Sequence, residues 1–136
     1  MMIKKISQIS FAVIMVLMLA SCKNAKQKLQ EYVVSYNATA KSFKSDNVTL
    51  TTARGYINDD KIELRFETNL SQNEPNKTAA NTIFSKMLKD MIDKNQIPKE
   101  LVEEGVQFDA YFLADDNTVL VKQVIDKESI SELLKQ

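Results

Sequence analysis

Residues 75–92, PNKTAANTIFSKMLKDMI, decide the fold. Ala79, Ala80, Ile83, Phe84, Met87, Leu88, Met91 and Ile92 return as pairs four residues apart, the spacing that gathers side chains on one stripe of an α-helix. Pro75 stands where a helix begins without losing a hydrogen bond, and Asn95 and Pro98 stop it. So wide an apolar stripe needs a surface to bury it. The simplest reading is the central helix of a core, ahead of a membrane-surface helix or a ligand-binding stripe, with the methionines as adaptable packing.

On either side of this helix the period changes to two. Val48, Leu50 and Thr52 alternate with Thr49 and Thr51, and Ile62, Leu64 and Phe66 alternate with Glu63, Arg65 and Glu67. Asn58-Asp59-Asp60 supplies a turn between them. Gly55 marks a bulge or a close backbone approach. Further on, Val106, Phe108, Ala110 and Phe112 alternate with Gln107, Asp109, Tyr111 and Leu113; Asp115-Asp116-Asn117 turns the chain, and Val119, Val121 and Ile125 follow. Lys99 to Glu104 form a short extra turn that Gly105 ends, and Asp126 caps a last helix carrying Ile130, Leu133 and Leu134.

The segment from Lys23 to Asp46 places Leu29, Tyr32, Val33, Tyr36, Ala40 and Phe43 at spacings of three and four. It is a helix docked on its own domain, or a tether that becomes helical only on a partner. The expectation is an α+β fold of order α-ββ-α-ββ-α, in which two β-hairpins form a four-stranded antiparallel sheet packed on the central amphipathic helix. Strand order stays open. The opposite sheet face would carry Glu63, Arg65, Glu67, Gln107, Asp109, Tyr111 and Lys122, with an apolar corner of Leu113, Leu120 and Val124. Either the first helix covers it in part, which is the simpler expectation because exposed apolar patches are usually small, or it is open to a partner.

The first 22 residues have another logic. Lys4 and Lys5 precede an apolar run from Ile9 to Leu19, and small residues stand just before Cys22, the layout of an export signal. The run is too short to span a bilayer, which takes about 20 apolar residues. Leu19-Ala20-Ser21-Cys22 resembles the lipobox of bacterial lipoprotein precursors. That resemblance implies cleavage between Ser21 and Cys22, a diacylglyceryl group on the Cys22 sulfur, and acylation of the freed amine. At about 0.8 kcal/mol per buried methylene, two or three long chains anchor a protein almost permanently. Lys23, where some bacteria place an aspartate for inner-membrane retention, favours the outer membrane. The divisions are then 1–21 as cleaved signal, 22–46 as lipidated cysteine with helix or tether, and 47–136 as one α+β domain.

Composition narrows the chemistry. Removing residues 1–21 from 136 leaves 115, enough for one domain, and taking Lys4 and Lys5 from the 18 basic residues leaves 16 against 18 acidic ones. A slightly acidic chain of mixed charge offers no basic patch for nucleic acid. There is no histidine, one cysteine and two glycines, which removes Ser-His-Asp and Cys-His nucleophiles, the usual zinc sites and glycine-rich nucleotide loops. The carboxylate pairs Asp59-Asp60 and Asp115-Asp116 lie in turns and Glu103-Glu104 in a helical turn, so solvated turns explain them better than acid/base catalysis or calcium. A Ser85 with Lys86 or Lys89 dyad would face solvent, where lysine stays protonated. No cofactor, metal or catalytic residue is expected.

These features suggest a non-enzymatic envelope lipoprotein whose domain binds a protein or envelope component. The candidate partner face is Tyr111, Lys122, Leu113 and Leu120, or else a sheet edge. The alternative is an inhibitor or immunity-type protein against an envelope hydrolase, using the loops Ser71 to Asn76 or Ala114 to Thr118. Replacing Cys22 by alanine should abolish palmitate labelling and detergent-phase partitioning in a bacterial host. Retained labelling would sink the anchor.

Overall fold

Ile62, Leu64, Phe66 and Thr68 are buried while Lys61, Glu63, Arg65 and Glu67 between them reach solvent to varying degrees, so β2, Lys61–Thr68, has one core face and one wet face. The structure is a computed structural model and describes residues 24–135. Ser21, Cys22 and the apolar run before them lie outside the described residues. Around β2 the chain runs α1 Ala25–Thr39, β1 Val48–Tyr56, β2, α2 Glu74–Asp93, α3 Lys99–Glu103, β3 Gln107–Leu113, β4 Val119–Ile125 and α4 Ile130–Leu134, with single 3₁₀ turns at Ala40–Ser42 and Ile57–Asp59. The fold is α+β, and the sheet order is β1-β2-β3-β4.

Both hairpins form as expected: β1 pairs antiparallel with β2, and β3 with β4. The expected all-antiparallel sheet does not. β2 and β3 run parallel, from Lys61 opposite Gln107 to Glu67 opposite Leu113. Residues 69–106 carry α2 and α3 back along the sheet, so the chain re-enters at the end where β2 began, which is what a crossover between parallel strands requires.

The central stripe packs as its spacing demands. Phe84 of α2 meets Phe66 edge-on at 5.5 Å and Phe112 at 4.7 Å. Ala80, Met87, Leu88, Met91 and Ile92 are buried beside it, whereas Ala79 and Ile83, at the stripe's margin, are exposed. Asn73 caps the helix through Asn76 N–H at 2.8 Å, ahead of Pro75. Asn95 ends it at a φ of 61° and Gly105 ends α3 at 102°, the left-handed region that asparagine and glycine tolerate.

α1 lies beside α2 on the same sheet face. A capping box between Asn24 and Gln27 starts it. Tyr32 packs edge-on against Phe108 at 5.4 Å and donates to the Gln96 carbonyl at 2.7 Å, Tyr36 shares a 2.6 Å hydrogen bond with Thr51, and Lys28 pairs with Glu104 at 2.7 Å. The helix therefore belongs to the core. Gly55 is the close approach: a Cβ there would stand 3.0 Å from Leu29 Cδ2 and 3.2 Å from Val33 Cγ2. The bulge falls instead between Val48 and Leu50. Beyond it, β1 turns Thr51 and Ala53 to the core and leaves Leu50 51% exposed, the reverse of the expected alternation. The hydroxyl of Tyr36 explains how a threonine can occupy a buried position.

Asp126 accepts from Glu128 N–H at 3.0 Å and Ser129 N–H at 2.9 Å in the turn leading to α4. These bonds hold its carboxyl below the usual range.

Phe84→Ala should cost about 3–5 kcal/mol in chemical denaturation, against less than about 1 kcal/mol for Ile83→Ala; equal losses would contradict the packing. Burial pushes the hydroxyls of Tyr32 and Tyr36 well above their ordinary value, with the Tyr32 shift increased by Tyr36 and the Tyr36 shift opposed by Thr51. The folded state then keeps protons that the unfolded chain releases, so this stabilisation is complete below about pH 10 and lost as pH rises beyond it. Phenolate absorbance from these two tyrosines, isolated by difference against Tyr32→Phe and Tyr36→Phe, should appear only with unfolding; phenolates in a natively folded chain would refute this.

Candidate functional site

The described helices all pack against the side of Ile62, Leu64 and Phe66, so the other side of the sheet is a bare face. α1 does not cover it, contrary to the simpler expectation, because its tyrosines are committed to Thr51 and Phe108 on the core side. Strand register arranges the face in rows. One runs Leu50, Glu67, Leu113, Val119; the next Thr52, Arg65, Tyr111, Lys122; the third Arg54, Glu63, Asp109, Val124; the last Tyr56, Lys61, Gln107.

Two of these rows are stitched by polar contacts. Lys61 Nζ lies 3.7 Å from Asp109 Oδ2 and Gln107 Nε2 donates to Asp109 Oδ1 at 2.7 Å, so the carboxylate stays satisfied although the residue is buried. Lys61 and Arg54 also lie over the Tyr56 ring at 5.0 and 5.4 Å. The Thr52 row is different. Lys122 Nζ sits 5.3 Å from the centre of the Tyr111 ring, and among the described residues neither Lys122 nor Arg65 holds an ion pair. Two cations flank one aromatic ring there, with no carboxylate in their own row.

Of the four residues expected on a partner face, Tyr111 and Lys122 are brought together as register partners. Leu113 and Leu120 are not displayed: they are 2% and 6% exposed. Leu113 lies between Glu67 and Val119, and the irregularity between Phe112 and Leu113 shifts β4 so that Leu120 joins the core cluster. The apolar part of the face comes instead from Leu50, Val119 and Val124, all exposed. Leu50 went unnoticed because alternation pointed it inward, and only the bulge at Val48/Leu50 reverses that.

Two loops named separately from sequence meet at one end of the sheet. Gln72 Nε2 donates to Thr118 Oγ1 at 2.7 Å and to the Val119 carbonyl at 3.1 Å, and Asp115 N–H donates to the Leu70 carbonyl at 2.7 Å. Thr118 N–H and hydroxyl both bond Asp116, holding that carboxyl below its usual range. Asn76 Nδ2 ties back to the Ser71 carbonyl at 2.7 Å.

The acidic pairs stay apart, in the Asp59–Asp60 turn, the Asp115–Asp116 turn and the end of α3, where Glu104 is bonded to Lys28. Ser85 accepts from Gln123 at 2.7 Å. Among the described residues no group of three or more histidine, cysteine, aspartate or glutamate side chains could hold a metal ion, and no helix is long and apolar enough to cross a membrane. No family model, curated protein or solved structure matches the chain.

Proposed function

We propose that the chain is a membrane-anchored envelope lipoprotein whose α+β domain is a non-enzymatic binding module working through its bare sheet face. The observation that carries this reading is the one-sided packing of the helices, which leaves Leu50, Arg65, Lys122 and Val124 exposed around Tyr111 on the opposite side. Such a face combines an aromatic ring, two cations without ion partners among the described residues and scattered apolar contacts, the mixture that protein interfaces use. Leu19-Ala20-Ser21-Cys22 supports the anchor, and Lys23 the outer membrane.

A second reading, the inhibitor or immunity-type protein, draws on the bonded loop pair around Gln72 and Thr118. Its tips, including Asn73, Glu74 and Asp116 to Thr118, are exposed, and its hydrogen bonds preorganise them for entry into another protein's cleft.

One experiment separates the two. A photo-crosslinking residue at Arg65 should capture a discrete neighbour in cells, and the double change Tyr111→Ala, Lys122→Ala should remove it. An unchanged neighbour would refute the sheet-face reading. Capture from Asn117 instead, with loss of envelope hydrolase activity on adding the purified protein, would establish the second.

A further inference from the structure

With strand order β1-β2-β3-β4, the sheet has two edges, each a row of backbone groups able to pair with another strand. They are treated differently. At β1, Asn37 of α1 donates its Nδ2 to the Ala53 carbonyl at 2.9 Å and accepts from Ala53 N–H at 2.8 Å through its Oδ1. One side-chain amide thus stands in for a neighbouring strand at the middle of that edge.

At β4 only the ends are closed. Gln72 Nε2 takes the Val119 carbonyl, and Ser129 Oγ donates to the Val124 carbonyl at 2.8 Å. The Ser129 bond shows that Val124 turns its backbone groups away from β3. In an antiparallel strand a residue's N–H and C=O lie on one side and the sides alternate, so the N–H and C=O of Lys122, with the N–H of Val124, also point outward. No described residue bonds them. The result is a short slot bounded by two side chains.

The occupant follows from charge. A strand added at β4 extends each row of the bare face by one position. The row Thr52, Arg65, Tyr111, Lys122 contains cations and no carboxylate, so the position beside Lys122 takes an acid; the neighbouring row ends in Val124, which takes an apolar side chain. A second copy pairing antiparallel about Lys122 would set that lysine opposite itself, and like charges directly opposite destabilise a ladder. We infer that the β4 edge receives a short extended segment of a different protein, with a carboxylate beside Lys122 and an apolar residue two positions away against Val124. This rests on the binding-module reading and specifies its partner.

The probe is a seven-residue peptide of alternating threonine and valine that begins and ends in threonine, with glutamate replacing the central valine so that a valine stands two positions to either side of it. It is added to the full chain in detergent micelles and followed by amide NMR. The Lys122 and Val124 amides should shift and exchange more slowly. A central lysine should weaken binding by about fivefold, and Lys122→Glu should reverse that preference, because opposite charges directly across a strand pair attract and like charges repel. Lys122→Pro should abolish binding while leaving the β3 ladder intact, since it deletes an outward-facing donor. Should that variant unfold, the reciprocal charge swap still decides. No protection at Lys122 and Val124 with either peptide overturns the proposal and shows Lys122 guarding the edge. Binding that shifts Arg65 and Tyr111 but ignores Lys122→Pro overturns it while the binding-module reading stands. Dimerisation in sedimentation that Lys122→Pro abolishes overturns it in favour of a second copy. Failure of the Arg65 position to capture any neighbour in cells, or a captured neighbour that the Tyr111→Ala, Lys122→Ala change leaves in place, by contrast strikes the binding-module reading itself.

Discussion

Phe84 stands edge-on between Phe66 and Phe112, and its position fixes which side of the sheet is dry. Those rings come from the two central strands, so α2 must lie along the middle of the sheet. α1 then has room only beside it, where Tyr32 reaches Phe108 and Gly55 lets the helix approach β1. With both long helices on one face, the other face is left to its own side chains. It stays wet because its rows hold four cations and three carboxylates among two tyrosines, and burying such a set would cost several kcal/mol per unpaired ion.

Much of this was legible as periodicity. The four-residue repeat from Ala79 to Ile92 identified the central helix, and the alternations around Leu64 and Phe108 identified the inner strands, because burial on one side imposes those periods directly. Tyr111 and Lys122 were placed correctly on the wet face for the same reason. What escaped depends on interruptions of the period. A bulge at Val48/Leu50 and another beside Leu113 invert the sides of Leu50 and Leu120, and no composition signal marks either. Leu50 is consequently displayed and Leu120 hidden, the opposite of what alternation implies.

The parallel pairing of β2 with β3 also escaped, because hairpin turns are local and crossovers are not. Asn58 to Asp60 and Asp115 to Asn117 announce their turns through residues that accept left-handed backbone, and Asp60 and Asn117 adopt it, at 49° and 66°. Nothing comparable states where residues 69–106 must return. Their route is set by the length of α2 and by the need of its stripe to cover Phe66 and Phe112. Asn37 was invisible for a related reason: as a polar residue on a helix flank it carried no periodic information, and its role exists only because β1 runs alongside.

The missed parallel pairing has the larger functional consequence. Parallel neighbours end at the same side of the sheet, so the loop after β2 and the loop after β3 are adjacent, and Gln72 can reach Thr118. The beginnings of β2 and β3 lie at the opposite end, near Glu104, which Lys28 holds against the first turns of α1. In the anchored form proposed for this chain, Cys22 precedes the cap residue Asn24 by two positions, leaving almost no slack between lipid and helix. Because Leu29, Tyr32 and Tyr36 lock that helix into the core, the lipid would orient the whole domain as well as tether it. The Glu104 end would then face the bilayer and the Gln72–Thr118 loop pair would point away, with the β4 edge standing between them. A flexible linker would leave every surface equally accessible; with the proposed anchor in place, a docked helix starting beside it would single out the loop end and the sheet flank as the surfaces a partner could approach.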